Sequence, residues 1–170
     1  ADATEAFRNG ASRPYLRSVS DASGGGHYYC DISPRFRWRE EWDGATLRTI
    51  LARSIPDLQK IVNIEVSKTS PSGRVAELRI VFPHGQALIP EPDIRGVLRP
   101  APDRLLQSAA FQLFVTTDSG AVTRLVAAGA GSGHGVGFCQ WGAIGRARAG
   151  QGYQQIITTY YPGTDIEKLY

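Results

Sequence analysis

GAGSGHGVGFCQWGAIGRARAGQGYQQIITTYYPGT, residues 129–164, is the stretch from which the rest of the chain is read. Glycines stand at 129, 131, 133, 135 and 137, and His134 is the only ionisable side chain among them. Such a run forfeits backbone entropy, and what it gains is φ > 0 or close approach of backbone to a ligand. Behind it, Gln140, Trp141, Ala143, Ile144, Ala147 and Ala149 predict a helix that Gly150 and Gly152 stop. A second helix is predicted over Tyr153–Tyr160, with Ile156, Ile157 and Tyr160 at core spacing and Pro162-Gly163 as its end.

Working outward, Val122–Ala128 reads as the strand that delivers the glycine run, entered by an Asp118-Ser119-Gly120 turn from a strand over Phe111–Val115. Residues 61–85 read as a hairpin: Val62, Ile64 and Val66 alternate with polar residues, SPSG turns the chain, and Val75, Leu78, Ile80 and Phe82 return. Helices are expected over Ala45–Ser54, with Asp43 as N-cap, and from Pro92 to Leu98. Ile32, Phe36 and Trp38, set against Arg35, Arg37 and Arg39, predict a further strand. Ahead of it lie a short helix or turn and a docked segment containing Pro14, Tyr15, Leu16 and Val19. With no repeat or linker, the expectation is one domain over residues 1–170: α+β, a mainly antiparallel sheet with short helices packed on it.

A glycine loop entering a helix invites a phosphate-binding reading. There is no G-x-x-x-x-G-K-[ST], and Thr158 and Thr159 stand where a dinucleotide site would place an acid. The run G-H-G-V-G-x-x-Q-x-G-A followed by G-Y-x-x-I-I-x-x-Y-Y-P-G-T resembles instead the carboxyl end of the stage II sporulation protein D family. That family contains peptidoglycan lytic transglycosylases and the related amidase-enhancer proteins. Cys139 departs from it, a small serine being commoner there. Asp21, Cys30, Ser33, Pro34, Phe36 and Trp38 fit the family's Asp, Cys, Ser-Pro, aromatic and Trp pattern, with a glycine insert between Asp and Cys. Ser72-Gly73-Arg74-Val75 matches its hairpin, and Leu106, Ser108 and Phe111 its L-x-S-x-x-F pattern. The resemblance covers only the second half of the family domain. It implies that a cysteine-glycine segment and the general-acid glutamate lie upstream of Ala1, with ADATEAF directly after the former.

The 170 residues include 42% hydrophobic and 21% charged residues, ordinary for a globular chain. A net charge of +3 and a pI near 9.0 suit an anionic wall but are too weak and too evenly spread for nucleic acid. No apolar run reaches the ~18 residues of a membrane span, and no signal peptide is seen. The chain begins without methionine and contains none, which reads as a processed product or a fragment.

Cleaving glycan by transglycosylation needs one proton-donating carboxyl group. Glu5, Glu40, Glu41, Glu65, Glu77, Glu91 and Glu167 all stand in polar or turn-flanked contexts, and the tempting pair Glu40-Glu41 would point to opposite faces of a strand. No catalytic residue is therefore expected in this chain, which by itself should be inactive. His134, between glycines, either lines a sugar groove with Gln140 or fixes the loop. Gly133, Gly135 and Gly137 would offer backbone to the ligand, and Trp141 either stacks on a sugar or joins the core. Ser132 has no base oriented by a third group and is no nucleophile. His27 and Cys30 make an H-x-x-C unit, half of a zinc site. Some members of the resembled family complete zinc with their upstream cysteine segment; here His84, His134 or Cys139 would have to converge. A Cys30–Cys139 disulfide and two free thiols are the alternatives. The resemblance implies an extracytoplasmic parent that binds and cleaves peptidoglycan glycan strands as a lytic transglycosylase. The rival is a non-catalytic cell-wall-binding or amidase-stimulating module. Partners would be glycan strands, an N-terminal fragment of the same protein or a cell-wall amidase.

Overall fold

A computed structural model of the chain describes residues 13–168. It divides into two compact units: one joins the residues up to Phe36 with those from His134 onward, and the other runs Arg37–Gly133. In chain order the elements are β1 (Ala22–Gly24), β2 (His27–Tyr28), β3 (Arg37–Asp43), α1 (Gly44–Leu51), β4 (Asn63–Thr69), β5 (Val75–Phe82) and β6 (Gly85–Pro90). They continue with α2 (Glu91–Val97), β7 (Phe111–Asp118), β8 (Ala121–Ala130), α3 (Gln140–Arg148) and α4 (Tyr153–Tyr160). The fold is α+β, with every strand pairing antiparallel. The short helix or turn expected before residue 13, and Glu5, lie outside the described residues.

The Arg37–Gly133 unit holds two three-stranded sheets, ordered β3-β8-β7 and β4-β5-β6. Their inner faces follow the two-residue period of a strand: Ile64 pairs with Ile80, Val66 with Leu78, and Leu78 with Ile89 across the second sheet. In the first, Leu125 of the central strand lies between Trp42 and Val115. Leu47 and Leu51 of α1, Ile94 of α2, and Leu78, Ile80, Leu98, Leu106 and Leu125 are all fully buried in one core. Each such side chain contributes about 1.5–3 kcal/mol relative to exposure. Trp42 keeps its polar atom satisfied there, Nε1–H donating to the Arg99 carbonyl at 3.0 Å.

Local chemistry sets the boundaries. Asp43 caps α1 as expected, its Oδ1 accepting from the Thr46 N–H at 2.7 Å. Gly44 follows because a Cβ there would lie 2.6 Å from the Val122 carbonyl oxygen. Two departures from the sequence reading have physical causes. The strand expected from Ile32 begins only at Arg37. Residues 30–36 spend their hydrogen bonds in turns, Ser33 N–H to Cys30 O at 3.1 Å and Phe36 N–H to Ser33 O at 3.0 Å, and Pro34 has no N–H to give a ladder. The hairpin is also followed by a third strand, β6. Its burial is confined to Ile89, too little alternation to read in advance.

The other unit contains the β1–β2 hairpin, α3 and α4. Both helices fall where the glycines predicted them. The buried side of α3 is not made by its apolar residues. Gly142 and Arg146 face inward, and Ile144 is 38% exposed.

Candidate functional site

After β8 the backbone enters an alternating path. Gly131, Gly133, Gly135 and Gly137 take φ of 70°, 112°, 78° and 90°, values that side chains with a Cβ rarely adopt. Glycine is required at every second position, which is the pattern the sequence shows. Gly133 closes the Arg37–Gly133 unit, its N–H donating to the Gln107 carbonyl at 2.8 Å. His134 follows with an exposed ring. Its Nδ1 accepts from the Val136 N–H at 2.9 Å. A backbone N–H can only donate, so the neutral ring carries its own proton on Nε2, the atom left to meet a ligand. The Nδ1 bond ties His134 to the backbone of its own loop, and Nε2 takes no part in it.

Gly137 has no room for a Cβ beyond 3.0 Å from the Tyr161 hydroxyl, which in turn accepts from the Phe138 N–H at 3.2 Å. Phe138 and Tyr161 stack, with centroids 6.3 Å apart and 23° between planes. Cys139 then caps α3, Sγ accepting from the Gly142 N–H at 3.3 Å. Gln140 is exposed and Trp141 is 38% exposed, so the indole does not join the core. His134, Gly135, Gly137, Gln140 and Trp141 therefore share one loop and the helix turn behind it. Nearby, Val136 helps line a cleft of about 440 Å³ with Tyr15, Leu16, Tyr161 and Thr164.

Beneath α3 lies a polar network that the sequence reading missed. Asp21 Oδ1 accepts from the Tyr160 hydroxyl at 2.6 Å and from Arg146 Nη2 at 3.2 Å. Arg146 also donates to the Ser20 carbonyl at 2.9 Å and lies over the Tyr29 ring, 4.5 Å from its centroid. Gln151 bridges Arg146 and the Tyr29 hydroxyl at 3.4 and 3.2 Å. Burial, reinforced by Asp21, pushes the Tyr160 hydroxyl well above its ordinary range. Burial opposes the Arg146 charge, but hydrogen bonds with Tyr160 and Asp21 outweigh it and hold the proton more firmly. The only signal in the sequence was the glycine pair at 142 and 145. A Cβ at 142 would sit 2.1 Å from the Tyr160 hydroxyl, and one at 145 would sit 1.9 Å from the Tyr29 carbonyl oxygen.

Cys30 and Cys139, both half-buried free thiols, adjoin the same carboxylate. Burial first, then Asp21 and Cys139, push the Cys30 thiol up to about 11, and burial likewise raises Cys139. His27 turns to Asp31 at 3.5 Å. Structural zinc takes four ligands. Among the described residues no third histidine, cysteine or carboxylate converges with His27 and Cys30, so the side chains present do not fit that ion.

Glu40, Glu41 and Glu77, among the carboxyl groups considered for acid catalysis, are engaged. Glu40 meets Arg104 at 3.2 Å, and Glu41 meets Arg124 at 2.9 Å and Arg39 at 3.1 Å. Hydrogen bonding from Arg124 holds the Glu41 carboxyl below its usual range, and hydrogen bonding from Lys68 does the same for Glu77. A general acid needs the opposite displacement.

A family model described as Domain of unknown function (DUF8618) matches residues 26–137. An uncharacterized protein of Brachyspira hyodysenteriae (strain ATCC 49526 / WA1) is 36% identical over 104 residues, 61% of this chain and 25% of that protein. The Amidase enhancer of Bacillus subtilis (strain 168) is 36% identical over 62 residues, 36% of this chain and 9% of that protein. The chain is thus distantly related to an amidase enhancer, and it spans no more than a quarter of the length of either relative.

Proposed function

This chain belongs to the family described as Domain of unknown function (DUF8618), and we propose that it is a peptidoglycan-binding module of an extracytoplasmic cell-wall protein. The observation that carries the reading is the loop of residues 133–137, with its left-handed glycines and the outward Nε2–H of His134. Backbone without side chains lets a sugar approach closely, and free amides meet acetamido and hydroxyl groups. Gln140 and Trp141, exposed on the next turn, add an amide and a ring face. In a longer parent, a lytic transglycosylase whose general-acid glutamate is supplied from outside this chain, the module would hold the glycan strand for cleavage. Distant relation to an amidase enhancer supports the cell-wall part of this reading, and the sequence resemblance to the stage II sporulation protein D family suggests the rest.

Co-sedimentation with purified sacculi tests the binding. His134→Ala removes one ligand contact worth about 0.5–1.5 kcal/mol and is expected to weaken sedimentation roughly three- to tenfold while the melt stays nearly intact. Unchanged sedimentation together with an unchanged melt would remove His134 from any binding role. Incubation of sacculi with this chain alone is expected to release no anhydro-muropeptides by mass spectrometry; their appearance would return attention to Glu40 and Glu41. The amidase-enhancer relative favours a second reading, a non-catalytic module that stimulates a wall amidase. Faster sacculus digestion by an amidase when this chain is added would select it.

A further inference from the structure

We propose that Cys30 and Cys139 are a cross-linking pair, closed to a disulfide by exchange with a disulfide oxidant and so fastening the Tyr29–Cys30 turn to the start of α3. Three placements within one unit carry this. Cys139 caps α3 through the Gly142 N–H at 3.3 Å. The Asp21 carboxylate reaches the same turn, since a Cβ on Gly142 would fall 2.2 Å from its Oδ2. Cys30 arrives from the hairpin side: the Tyr29 N–H donates to the Asp21 carbonyl at 2.8 Å, and the Tyr29 carbonyl lies against Gly145, one turn along from Gly142. These contacts bring both cysteines, far apart in sequence, to the Asp21 side of α3, and both thiols feel the Asp21 charge.

The exchange balances without further reagents. One cysteine, as thiolate, attacks the oxidant's disulfide, forms a mixed disulfide and expels a first thiolate. The second cysteine attacks the protein sulfur of that mixed disulfide and expels the other. Two electrons pass from the cysteines to the oxidant, and the two cysteine protons end on its two released thiolates. Burial first, and then Asp21, keeps both thiols protonated, so exchange should be slow near neutrality and quicken in alkaline solution. The closed bridge would remove two S–H groups from Asp21 and leave its Oδ1 with Tyr160 and Arg146.

The reduced full chain would be incubated with oxidised glutathione at mildly alkaline pH, quenched with iodoacetamide and weighed intact. The expected product has lost about 2 Da, carries no alkyl or glutathione adduct, and melts roughly 5 °C or more above the reduced chain. Cys139→Ser should instead stop at one glutathione adduct on Cys30. Two separate adducts, two alkylated thiols, or a bridge that fails to raise the melt would each overturn the proposal.

Discussion

Gly145 and Arg146 are the residues whose roles run most against their types. Replacing glycine by alanine inside a helix ordinarily adds about 1 kcal/mol. Here the added methyl would enter the Tyr29 carbonyl, so Gly145→Ala is expected to lower stability by about 1–3 kcal/mol, read as a shift of the urea midpoint. Ile144→Glu, one position away on the exposed side, should leave that midpoint almost unmoved. Arg146 pairs with Asp21 with little solvent on either side chain. Removing either partner strands a buried charge, at a cost of about 3–5 kcal/mol. The network also predicts a pH dependence. The folded chain holds its Cys30 proton more tightly than an ordinary thiol, whose pKa is 9.0, pushed up to about 11. A raised folded value means that this contribution is complete below 9.0 and is lost as pH climbs through about 11. Cys139 and Tyr160 are displaced in the same direction. The melt of the reduced chain should therefore fall across that window, and Cys30→Ser should flatten the fall. None of these partnerships was legible in sequence. Asp21, Arg146 and Tyr160 come from separate segments, and an arginine between Gly145 and Ala147 reads as a solvated face until Gly142 and Gly145 are taken as a demand for space.

Elements were far more legible than partnerships, because turn chemistry is local. SPSG, Asp118-Ser119-Gly120 and Gly150 each end an element within a residue or two of where the chain turns. The Asp43 cap could be read because a carboxylate three residues ahead of a free amide acts without tertiary help. The misses have separate causes. Ile32, Phe36 and Trp38 carry strand-like spacing, but Pro34 and the turn bonds around it cancel the ladder, and only from Arg37 does the chain pair with β8. β6 was lost because a strand at a sheet edge buries little. The central strand of that sheet is the place to test the architecture. Leu78 on β5 is fully buried between Val66 and Ile89, so Leu78→Ala should cost about 2–5 kcal/mol. Denaturant unfolding followed by circular dichroism would check it.

At the scale of the molecule, the residues from His134 to Trp141 lie on one loop and the helix turn behind it, while Glu41 and Glu77 are held below their usual range. One more feature reports on the Arg37–Gly133 unit as a body. Gly129, next to last in β8, pairs with Trp38 on one side and Phe111 on the other, and a Cβ on it would lie 2.2 Å from Trp38 Cζ2 and 2.5 Å from Cε2. The hydrogen occupying that position lies against the indole, within reach of its ring current. Its proton resonance should be displaced clear of the region where α-protons of an unfolded chain absorb. A single proton spectrum, without isotopes or assignments from elsewhere, would then count folded units by the area of one isolated line.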